Sequence, residues 1–109
     1  MPSSEALYDE AIAIQHAGDL EGAIGRLDAL LDADPKYALA HSALSLFYSR
    51  LGKYDEAIRH GQKVCELEPD DPFSFIALSL VCQQAGLIPE AERAMIQARQ
   101  AQVTARQPR

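Results

Sequence analysis

Apolar residues recur along this chain at steps of three and four, in six stretches separated by breaks at glycine or proline. Steps of that kind place side chains on one face of a helix. They predict six helices near 4–17, 20–33, 37–51, 54–67, 71–85 and 88–104. No stretch alternates apolar and polar residues with the period of two that a half-buried strand requires, so the expected class is all-α. One stretch stands apart. Between Phe73 and Cys82 only Ser74 and Ser79 are not apolar. A surface helix carries one apolar stripe and one polar face, whereas this one is apolar nearly all round. It is too short to cross a bilayer, which takes about 20 apolar residues. Its second apolar face therefore calls for a neighbour.

The six stretches form pairs. Gly18, Gly52 and Gly86 are 34 residues apart, as are Ala23, Ala57 and Ala91, and Pro35 and Pro69. Three residue types repeating in one order at one period point to an internal repeat. In each unit the glycine suits the left-handed position that ends a first helix. Acidic residues follow where the second begins: Glu21, Asp55 with Glu56, and Glu90, complementing the positive end of the helix dipole. Pro89 fits a first turn, and Asp34-Pro35 and Asp71-Pro72 read as a cap and first-turn proline opening the next unit.

A 34-residue helix–turn–helix period resembles the tetratricopeptide repeat. The resemblance runs over 4–105, as repeats 4–37, 38–71 and 72–105, with a short polar tail at 106–109. It rests on Leu7, Ala11, Ile14, Ala23, Leu27 and Pro35; on Leu44, Ser45, Tyr48, Ala57 and Pro69; and on Phe75, Leu78, Ser79, Ala91, Met95 and Ala98. The departures are Glu10, His41, Gly61 and Val103, where the family carries Leu, a large apolar residue, a large residue and Pro. Gly61 removes a core side chain, and Phe75 is the expected filler of that space. The resemblance implies a right-handed superhelical stack of three hairpins with a concave groove. Such an array needs its exposed end covered. The sites occupied by Ile24 and Ile58, and by Leu31 and Cys65, become Glu92 and Arg99 in the third unit. Both are expected to be exposed, with the last helix capping the stack.

The resemblance places the first helices along the groove. Their groove positions are Glu5, Tyr8, Ile12 and Gln15; Leu39, Ser42, Leu46 and Ser49; and Phe73, Ile76, Leu80 and Gln83. Tyr8, Ile12, Leu39, Leu46, Phe73, Ile76 and Leu80 are thus the candidate partner-binding residues, forming one apolar patch of the kind that marks interaction surfaces. A subfamily that binds acidic chaperone tails uses a clamp of Lys, Asn and Arg. Its positions correspond to Tyr8, Ile12, Ala43, Phe73 and Ala77, which offer no cation to pair a carboxylate. The implied activity is that of an adaptor receiving an apolar or amphipathic protein segment. The alternative is a homo-oligomer whose groove another copy fills. Bacterial secretion chaperones of this fold are similar.

Composition narrows the rest. A chain of 109 residues with net charge −6 is one small domain and carries no basic nucleic-acid footprint. Its acidic, amphipathic start is not a signal peptide, so the expected address is cytoplasmic, without membrane association. The charge is uneven: the first repeat has eight acidic and two basic residues, the second six and four, the third two and two, followed by Arg106 and Arg109. Cys65 and Cys82 are expected to stay unbridged. His16, His41 and His60 form no metal-ligand spacing, and His41 is expected to be a hydrogen-bonded packing residue. No nucleophile or phosphate-loop motif occurs. No catalytic residue, cofactor or metal is expected, and the chain is not expected to be an enzyme.

Overall fold

In a computed structural model that describes residues 2–106, six helices follow one another: α1 (Ser4–His16), α2 (Leu20–Ala33), α3 (Ala38–Arg50), α4 (Tyr54–Leu67), α5 (Pro72–Gln84) and α6 (Ile88–Arg106). No strand occurs among the described residues. Each odd-numbered helix pairs with the next as a hairpin, and the three hairpins stack. The expected tail at 106–109 begins inside α6 at Arg106, and residues 107–109 lie outside the described part.

The three period-setting glycines end α1, α3 and α5 in the left-handed conformation, with φ of 94°, 74° and 79° at Gly18, Gly52 and Gly86. Around Gly18 two bonds close the turn: Gly18 N–H donates to Gln15 O and Asp19 N–H to Ile14 O. The same pair recurs around Gly52 and Gly86. It satisfies carbonyls that the helix end leaves without partners. Asp71 caps α5 by accepting from Phe73 N–H at 3.0 Å, with Pro72 in the first turn. The similar Asp34-Pro35 pair does not open α3. Asp34 instead ends α2 and accepts from Ser4 Oγ at 2.7 Å, and α3 starts after Tyr37. In the 34-residue register Asp34 corresponds to Glu68, which likewise ends α4, whereas the capping Asp71 corresponds to Tyr37.

Two apolar clusters hold the stack. The first joins Ala11, Ala23, Leu27, Leu30, Ala40, Leu44 and Phe47 across α1, α2 and α3. The second joins Cys65, Phe75, Leu78, Cys82, Ala91, Ala94 and Ala98 across α4, α5 and α6. Small residues allow close helix approach, and two of them also bond: Ser45 Oγ donates to Ala57 O at 2.8 Å and Ser79 Oγ to Ala91 O at 2.9 Å. Each hydroxyl thereby ties the two helices of its own hairpin. Both cysteines are free, buried thiols in the second cluster. Burial pushes Cys65 up to about 11, so it stays a neutral packing group at physiological pH.

Candidate peptide-binding groove

Because α4 runs back against both α3 and α5, those two helices point the same way and leave a trough between them. Its volume is about 740 Å³. Leu39, Ser42, Leu46 and Ser49 of α3 form one wall, and Phe73, Ala77, Leu80 and Gln84 of α5 the other. Gly61 and Val64 of α4, with Ser45, lie along the bottom. Four large apolar side chains of this trough face solvent: Phe73 is 75% exposed, Leu39 and Leu80 54%, Leu46 50%. Desolvating an apolar side chain is worth about 25 cal/mol per Å², so this surface has free energy to gain from a cover.

Of the seven expected groove residues, the structure brings Leu39, Leu46, Phe73 and Leu80 to one cavity. Tyr8 and Ile12 are half-buried against the first cluster, Tyr8 beside the Tyr37 ring at 6.1 Å between centroids. Ile76 is half-buried against the second cluster. Helical geometry separates these sets. A face shared by positions two, five and nine is wider than a trough, so one edge of α5 looks into it while Ile76 looks past it.

The trough has polar features that the apolar pattern did not single out. Ser49 and Gln84 bond across one end, tying the ends of α3 and α5. Arg50 and Tyr54 stand at that same end, and Glu68 and Asp71 at the other. Arg50 rests on the Phe47 ring, 5.9 Å from its centroid. Gly61 lies where a Cβ would meet Leu78 Cδ1 and Ser45 Oγ, each at 3.3 Å. Leu78 and Ser45, not Phe75, are therefore the side chains that close over the missing one.

Two histidines that sit at unrelated repeat positions prove to be neighbours. His41, buried as expected, places Nε2 2.8 Å from Pro35 O and Nδ1 3.0 Å from His60 Nδ1. A carbonyl only accepts, so His41 carries its proton on Nε2 and accepts from His60 Nδ1–H. Tyr48 stacks on the His60 ring, 5.8 Å between centroids and 10° between planes. Burial, then His41, then Arg59 lower His60 to about 4. The pair works as a neutral fastener between the turn before α3, α3 itself and α4. Among the described residues no group of three or more His, Cys, Asp and Glu could hold a metal ion, and no helix is long and apolar enough to cross a membrane.

At the end of the stack Glu92 and Arg99 are exposed, as expected. They do not make that end polar, because Ile88, Met95, Ile96 and Val103 are exposed beside them.

Comparisons with known proteins agree with this architecture. The tetratricopeptide repeat family model matches residues 15–72, more than half of the chain. No curated protein sequence matches significantly. Among solved structures, a crystal structure of MamA is 25% identical with a TM-score of 0.85, covering 94% of this chain and 60% of that one. A second MamA structure is 26% identical with a TM-score of 0.84, and 54% of it is covered. The chain thus spans little more than half the length of these two MamA chains. The type III secretion translocator chaperone SycD of Yersinia enterocolitica is 24% identical with a TM-score of 0.81, covering 96% of this chain and 77% of that one. The second tetratricopeptide domain of Spaghetti, bound to an HSP90 peptide, is 20% identical with a TM-score of 0.78, covering 87% and 88%. With its glycine-ended hairpins and the matched segment, this chain belongs to the tetratricopeptide repeat family.

Proposed function

We propose that this protein is a non-enzymatic interaction module whose trough between α3 and α5 receives an apolar or amphipathic segment of a protein partner. The observation that carries this reading is the exposure of Phe73, Leu39, Leu46 and Leu80 on one trough. The repeat boundaries are taken as 4–37, 38–71 and 72–105. Tyr8 and Ile12, which pack on the first cluster, and Ile76, which packs on the second, lie outside this trough and are not among its contacts. A domain of the same fold holds an HSP90 peptide. The chemistry here is different, because the walls carry leucine, phenylalanine and serine in place of paired cations. Glu68 and Asp71 at one mouth add a preference for a cationic residue flanking the apolar anchors. Large apolar anchors in such a site contribute about 1.5–3 kcal/mol each before ordering costs.

The test is titration of a short amphipathic peptide series by calorimetry: apolar with a basic end, apolar with an acidic end, and a polar control. The basic-ended peptide should bind best. Phe73→Asp with Leu80→Asp should abolish binding while circular dichroism stays helical. If the double variant unfolds, the residues are core and the reading fails. If the protein self-associates and this double variant makes it monomeric, the groove is filled by another copy instead.

A further inference from the structure

The outer face of α6 is a second apolar surface among the described residues, and its pattern has a symmetry of its own. Along this helix Ile88, Glu92, Met95, Ile96, Arg99 and Val103 share one side, with the four apolar residues 39–55% exposed. The six are spaced symmetrically about the Met95–Ile96 bond. Ile88 and Val103 lie equally far from it on either side, and so do Glu92 and Arg99. From this we infer that α6 is the interface of an antiparallel, two-fold homodimer.

The geometry comes from running two copies of α6 in opposite directions with that bond at the centre. Ile88 then faces Val103 of the second copy, Met95 faces Ile96, and Glu92 faces Arg99. Every contact occurs twice, as an isologous interface requires. Apolar meets apolar and acid meets base at each level. Neither Glu92 nor Arg99 has an ion-pair partner within the described part of the chain. Parallel pairing fails on charge, because it sets Glu92 on Glu92 and Arg99 on Arg99. The helix is long enough for several layers: its 19 residues span about 28 Å.

Head-to-tail stacking is the obvious rival, since α2 and α4 use this same register to receive the next hairpin. The other end of the molecule does not fit it. The outer face of α1 offers Ala6 and Ala13, both exposed, and places Glu10 where Leu44 and Leu78 stand in the later hairpins. Glu10 is already held by Arg26. A face of alanines and a paired carboxylate gives Met95 and Ile96 little to pack on. No residue of α6 lines the trough between α3 and α5, so the dimer displays two open grooves and can bind a partner with two sites by avidity.

The experiment is sedimentation of the 109-residue chain across a wide concentration series, with circular dichroism as the control for folding. The chain should reach twice the monomer mass and stop there. Arg99→Glu should weaken the dimer roughly ten- to thirty-fold, because two attractive pairs become two repulsive ones of exposed-pair strength. Adding Glu92→Arg to it should restore the dimer, since the exchange preserves every opposite-charge pairing. Phe73→Asp with Leu80→Asp should leave the dimer intact, which separates this interface from groove binding. A wild-type chain that stays monomeric at all concentrations overturns the proposal. So does a dimer indifferent to Arg99→Glu, a helical double exchange that remains monomeric, or a mass that keeps growing with concentration.

Discussion

Leu27 and Gly61 stand 34 residues apart at the same place in successive hairpins, and the two junctions above them have opposite characters. Leu27 is fully buried with Leu44 in the first cluster, and the residues at the mouth of that junction, Tyr8 and Ile12, are half-buried. At the second junction Gly61 supplies no side chain. Leu78 and Ser45 close over it, and the trough opens above with Phe73 and Leu80 exposed. The third equivalent residue, Met95, has no hairpin above it within the described chain and lies on the outer face of α6. One register position is thus a buried core residue, a trough floor and an exposed surface residue. Its role depends on side-chain volume and on whether another hairpin stacks above it.

Breaking the closed junction should have the largest effect. Leu27→Ala should cost about 2–5 kcal/mol in urea unfolding, because a fully buried leucine leaves a cavity that its neighbours fill only in part. A matched pair of changes then tests whether the two mouths differ. Ile12→Asp should cost about 1–3 kcal/mol, as a carboxylate is pushed against the first cluster. Leu80→Asp should stay within about 0.5 kcal/mol, as a surface change does. Equal losses at the two sites would erase the distinction between a packed junction and an open one.

Acid probes the fastener that separates them. His60 is held near 4 in the folded protein against 6.5 when free. The unfolded chain therefore binds the proton first as pH falls. The contribution of neutral His60 is fully present above 6.5 and is lost progressively as pH falls from 6.5 towards 4. His60→Gln keeps a donor for His41 and removes this titration, so its melting temperature should fall less steeply over that range than that of the wild type.

The smallest effects compare two glycines inside helices. Gly25 in α2 has nothing within 4 Å of an added Cβ, so Gly25→Ala should gain about 0.5–1 kcal/mol from helix propensity. Gly61→Ala should gain less, because its Cβ meets Leu78 and Ser45 at 3.3 Å and crowds the Ser45 bond to Ala57. A gain at Gly61 equal to that at Gly25 would mean the groove floor has room to spare.

The sequence by itself determined the six helices, their ends and the family. These depend on local physics that repeats every 34 residues: a glycine that must adopt positive φ, small residues where helices cross, and apolar steps of three and four. The observed helix boundaries fall within two residues of those expected from the sequence. Leu39 with Leu46, and Phe73 with Leu80, each share one helix face by phase, and the family resemblance placed those faces along the trough that they line. Only the tertiary structure decided the rest. Tyr8, Ile12 and Ile76 share that phase, yet their burial depends on which neighbour each helix edge meets. Asp34 reads as a cap for α3, yet it ends α2 and accepts from Ser4 of α1. His41 and His60 are 19 residues apart with no common repeat position, and they touch because α3 and α4 fold back on each other. Periodicity describes one helix at a time, whereas a trough, a fastener and a covered core are each made by two or three helices at once.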